Sequence, residues 1–179
     1  MLRGGSRSVI VPRSSGRSRS AAAPQGAIHV SALFAFLHHG AAFALVSAIV
    51  SERILSREEL TLRDARRILT ADRVYGIAAG VVLVVGALRV AFFEKGPQYY
   101  LHSAPFIAKV SLFAIVGLLS IYPTLEYLSW RPALKRSELP AVSEERMHRI
   151  RLIILVELAG IALIILCAAL MARGIGVFG

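Results

Sequence analysis

The residues able to do chemistry in this chain are few, and they interrupt long apolar runs: His38-His39, Arg89, Lys109 and Glu157. A charge near the centre of a bilayer costs about 2.5–3.5 kcal/mol on insertion scales, so residues of this kind usually have partners or functions. A buried imidazole can ligate haem iron or copper, relay a proton, or hydrogen-bond across helices. His38 and His39 lie roughly 13–15 Å into the first run at 1.5 Å per residue. Neighbours on a helix point about 100° apart, so one ring is expected to face the bundle and the other a neighbouring helix. No second histidine stands four residues away, so a preformed two-histidine metal site on this helix is not expected.

Arg89 and Lys109 fall near the end of their runs that lies away from the arginine-rich loops. Each can snorkel to the headgroups, and Arg89 can instead be an anion clamp for a propionate, a carboxylate or a lipid phosphate. Glu157 is about 9 Å in from the other border, too deep for a short acidic chain to snorkel easily. A partner is therefore expected for it, with Arg73 or Arg53 the candidates. It shares a helical stripe with Gly160, Ile164, Cys167 and Met171. Lys109, Phe113, Gly117, Ser120 and Thr124 form a similar stripe, whose small and polar residues suit a protein neighbour better than lipid. Gly76 and Gly80 have small-xxx-small spacing, which predicts another packing face.

The elements that must carry these residues are four apolar runs: Val30–Val50, Val74–Phe93, Phe106–Leu128 and Leu152–Met171. Each is near the roughly 20 residues a spanning helix needs. All are too long for strands, and a helix satisfies its own backbone in lipid. The expected fold is an all-α membrane protein, an antiparallel four-helix transmembrane bundle over residues 29–179. Residues 51–73 and 129–151 form partly helical polar loops, and Ser143 followed by Glu144 and Glu145 reads as the start of the last helix. Gly96-Pro97 marks a short turn between the second and third runs. Pro123 should kink the third helix.

The hydrophobic fraction is 56%, above the usual share of about 45–50% in soluble domains. The formal charge of +10 clusters in the two loops, with 6 Lys/Arg each, and in a tail with five arginines. No nucleic-acid recognition motif accompanies it. The positive-inside rule puts both loops in the cytoplasm and both termini outside, as in a bacterial inner membrane. Aromatic belts are expected at both borders, with Tyr75, Tyr122, Tyr127 and Trp130 on the loop side. Residues 1–28 are rich in Arg and Ser, lack acids and read as a disordered tail, either a targeting segment or an extension without a structural role. The single Cys167 makes no disulfide and no thiolate metal site.

Leu37-His38-His39, Ala71-Asp72-Arg73-x-Tyr75-Gly76 and Gly86-x-x-Arg89 with Glu94-Lys95-Gly96 form a recurring set. Tyr99-Tyr100, Phe106-x-x-Lys109, Ser120-Ile121-x-Pro123-Thr124 and Trp130-Arg131 complete it. On these motifs residues 33–172 resemble bacterial four-helix membrane proteins that carry a domain of unknown function. The resemblance implies a four-span inner-membrane protein and lends no activity. A looser one is to the four-helix membrane protoporphyrinogen oxidase and the copper-resistance membrane domains, in which a helix-1 histidine pairs with a helix-3 lysine. His38 and Lys109 match those positions, but Pro105-Phe106-Ile107-Ala108 stands where that group has a Trp- and His-containing segment.

Three functions stay open on the sequence. In the first, His38 or His39 is an axial ligand of haem b or a related redox cofactor, with Arg89 and Lys109 holding its acidic groups. In the second, Glu157, His39 and Lys109 line the internal path of a small proton-coupled transporter, which would need a homodimer. In the third, the polar residues only fix helix packing in an assembly protein. Enzymatic activity is left open, and no metal other than haem iron is expected.

Overall fold

The computed structural model describes residues 25–57, 59–93 and 102–176. The tail up to Pro24 and the turn expected at Gly96-Pro97 lie outside the described residues. Four helices are long and apolar enough to cross a membrane: α1 (Gln25–Leu55), α2 (Leu62–Leu88), α3 (Ala104–Ser129) and, after the short α4 (Arg131–Lys135), α5 (Glu144–Ala172). The expected bundle is present, and no strand occurs among the described residues.

The helices run further than the apolar runs. α2 begins 12 residues before Val74, because Leu62, Ala65, Ile68 and Leu69 recur at helical spacing and bury one face. Thr61 caps it, accepting a hydrogen bond from the Asp64 N–H at 3.1 Å. α1 continues five residues past Val50, so residues expected in a loop are helical and the connection shrinks to a short turn. At the head of α5, Ser143 caps as expected, with its hydroxyl accepting from the Arg146 N–H. After Leu88 the chain widens into a single π-helical turn over Arg89–Phe93.

α1 packs chiefly on α2, and α3 on α5, so the bundle consists of two tight hairpins in lighter contact. The large side chains Phe36, Phe43, Ile77 and Leu118 point outward. Such faces suit lipid, which is as apolar as the side chains themselves. The buried core gathers in the half near the two loops, around Ile49, Ile68, Tyr127, Trp130, Ile150 and Ile154. Tyr127 and Trp130 stack edge to face there at 4.9 Å, so they are core residues and not part of an interfacial belt.

Arginines brace this basic end. Arg66 donates to the Leu134 carbonyl at 3.3 Å and to the Ser137 hydroxyl at 3.1 Å. Arg151 donates to the Ser56 carbonyl, and Arg146 reaches Glu126 at 3.3 Å. Two small-residue expectations divide. Gly160 lets α3 and α5 approach closely: a Cβ there would sit 2.5 Å from Val116 Cγ2. Gly76 and Gly80 are exposed with nothing near them, so their stripe is not a packing face within the chain.

Candidate functional site

Two polar centres lie along the seam between the hairpins. The first is in the half away from the basic loops. His38 projects from α1 toward α2, where Gly86 makes room: a Cβ at 86 would lie 3.2 Å from His38 Cε1 and 3.5 Å from Nδ1. The ring's polar neighbour is the Val82 backbone, and its Nδ1 is buried without a hydrogen-bond partner. Beside it opens a cavity of about 350 Å³ between α2 and α3, lined by His38, Gly86, Phe106, Lys109 and Phe113 and, from the π-helical turn, by Val90 and Ala91. π-helical turns of this kind recur at functional sites.

The sequence-expected residues separate here. Lys109 and Arg89 are half-buried and act electrostatically on His38. His39 does not belong to the group. It is exposed on the outer face of α1, with its Nδ1 bonded to the Ala35 carbonyl at 2.7 Å. The 100° step that brings His38 inward turns His39 out.

The second centre lies where all four spanning helices meet, toward the basic end. α1 contributes Glu52, 4% exposed, and α5 contributes Glu157, 2% exposed. α2 contributes Asp72 and Tyr75, and α3 contributes Ser120, Thr124 and Tyr127. Asp72 accepts a hydrogen bond from Thr124 at 2.6 Å. The three carboxyl groups lie within electrostatic reach of one another. One oxygen of Glu157 is buried without a hydrogen-bond partner, and the fully buried Tyr127 hydroxyl neighbours the Glu52 carboxyl.

This corrects the expectation of a basic partner for Glu157. Arg73 is exposed, and among the described residues no ion pair reaches Glu157, whose charged neighbours are acids. Glu52 and Asp72 were missed because both apolar runs were ended short of them. A signal was present: Leu45, Ala48, Ile49, Glu52 and Ser56 form one buried helical stripe, as do Ala65, Ile68, Tyr75, Ala78 and Val85 with Asp72 in register. Among the described residues no group of three or more His, Cys, Asp or Glu is disposed to hold a metal ion.

A smaller cavity of about 130 Å³ lies between the centres, lined by Tyr75, Ser120, Val116, Gly117 and Ile161. Val82 and Phe113 line both cavities and so form the wall between them. Polar groups thus follow the seam from His38 and Lys109, past this wall, to Tyr75 and Ser120 and on to the carboxyl cluster.

Fold and site together define a four-span helical membrane protein with a polar seam through an apolar bundle. The family described as "Predicted membrane protein (DUF2214)" matches residues 30–176, and the chain belongs to that family. No curated protein matches the chain, and no solved structure does.

Proposed function

We propose that this protein binds a flat, acid-bearing redox cofactor, haem b being the specific candidate, in the cavity beside His38. The observation that carries the reading is the buried, unpartnered His38 Nδ1, held against Gly86 at the edge of a 350 Å³ cavity that Lys109 also lines. The Val82 backbone is a further polar neighbour of the ring. Arg89 and Lys109 supply positive charge for acidic substituents on the ligand. Bound haem would supply one-electron chemistry; the cavity of about 350 Å³ would take part of the ring, and His38 and Lys109 would orient it. The positive-inside rule supports a bacterial inner-membrane location with both basic loops in the cytoplasm, which puts the cavity in the outer leaflet.

The test is the visible spectrum of the protein purified after expression with added haem precursor. Wild type and His39→Ala should show Soret absorbance, and His38→Ala should lose it. A wild type without Soret absorbance overturns the reading.

A second reading is supported by the carboxyl cluster. Groups of this type inside a membrane commonly mark proton relays, and the seam joins them to the His38 cavity. In proteoliposomes with a pH-sensitive dye, Glu157→Gln should abolish any proton flux the wild type shows. Absence of wild-type flux, in a monomer as in a dimer, removes the transport reading.

A further inference from the structure

The geometry points to a binding site for an anionic phospholipid on the outer flank of the first hairpin, at its basic end. An open groove of about 920 Å³ runs there between α1 and α2. One end carries Arg63, Arg66 and Arg67 beside Ile54, Leu55 and Leu62, and the other, free of charged groups, is formed by Ser47, Ala48, Ala71 and Val74. Among the described residues no carboxylate lines it. The order along the helix matters. Moving from Arg63 to Val74 is 11 residues, about 16 Å at 1.5 Å per residue, and runs from the loop end into the apolar span. An amphiphile with its phosphate on the arginines would lay its acyl chain past Val74 in the direction lipid tails already point.

The groove gathers three arginines in one lining, whereas three other exposed arginines at this end are engaged with acids: Arg136 reaches Glu138 at 2.8 Å, Arg146 reaches Glu126 at 3.3 Å and Arg149 reaches Glu145 at 3.2 Å. Arg66 is anchored to Leu134 and Ser137, which fixes one wall of the groove, while the exposed Arg63 and Arg67 face the headgroup. Basic pockets between spanning helices on the cytoplasmic side bind acidic lipid headgroups by this chemistry. The inference is independent of any cofactor at His38.

The test is native mass spectrometry of the full chain, delipidated and then titrated with phosphatidylglycerol or phosphatidylcholine. Wild type should retain phosphatidylglycerol preferentially. Arg63→Gln with Arg67→Gln should weaken that retention about thirtyfold, on the usual worth of two basic residues at an anionic surface. Arg63→Lys with Arg67→Lys should keep the preference, and Arg149→Gln should leave it unchanged. Equal retention of both lipids, or an unaltered preference in the glutamine pair, overturns the proposal. So does displacement by inorganic phosphate, which would show a site for phosphate alone. A photoactivatable phosphatidylglycerol provides a readout on wild type: crosslinks at Ala48, Ala71 or Val74 support the site, and crosslinks confined to other faces overturn it.

Discussion

Gly86 shows how much one missing methyl group can decide. The His38 ring occupies the space a Cβ at 86 would need, at 3.2 Å. Gly86→Ala should therefore push the ring by a few tenths of an ångström, and Gly86→Val by more. The expected outcome is loss of cofactor absorbance from Gly86→Val without loss of helical circular dichroism. A second residue-scale expectation concerns Glu157. It is buried among carboxyl groups with no basic partner among the described residues, so a neutral amide of the same shape fits the site, whereas removing its volume leaves a hole. Glu157→Gln should melt at or above the wild-type temperature, while Glu157→Ala should lose about 2–4 kcal/mol, readable as a lower melting temperature in detergent. His38, Arg89 and Lys109 were legible in the sequence because polar residues stand out in apolar runs. Glu52 was not, since it follows the run's last apolar residue and looked like part of a polar loop.

At the scale of the helices, the close crossing of α3 and α5 rests on Gly160 against Val116. Gly160→Ala should cost about 1–3 kcal/mol, the usual range for overpacking. Val116→Ala in the same chain should recover part of that loss, and a double-mutant cycle of thermal stabilities measures how much. Thr61 is a second element-scale case. Its hydroxyl holds the start of α2, so Thr61→Ala should lower stability by about 1 kcal/mol. Each apolar run lies on a helix, but the first run stops five residues short of the end of α1 and the second begins 12 residues after the start of α2. Apolar length marks what lipid requires, whereas a helix continues as long as one face is buried. In α2 that face is carried by Ala65 and Ile68, between arginines that mask it in a hydropathy window. The Ser143 cap was legible because a short hydroxyl before two acids leaves few other readings. The small-residue stripe at Gly76 and Gly80 was misleading, because spacing gives the direction a face points and not what lies opposite it.

For the whole molecule, the proposed topology rests on the two basic loops. With Cys167 replaced by alanine, a cysteine at the exposed Ala141 should react with an impermeant thiol reagent only from the cytoplasmic side. A cysteine at the exposed His102 should react only from the outside. The reverse pattern would invert the assignment and move the His38 cavity to the inner leaflet. Packing density also differs along the bundle: the core at the basic end is closed and braced by arginines, and the other half opens into the cavity. The general bundle could be expected from four apolar runs. This asymmetry could not, because it depends on which hairpin each helix joins.

That unequal pairing sets an order for biogenesis. Each hairpin can insert and close on its own contacts, and the seam forms only when the two dock side by side in the bilayer. Until then Glu52 and Asp72 on one half, and Tyr127 and Glu157 on the other, face lipid. Late docking therefore hides polar groups from hydrocarbon, and that desolvation cost gives the halves a reason to find each other that apolar packing alone does not supply.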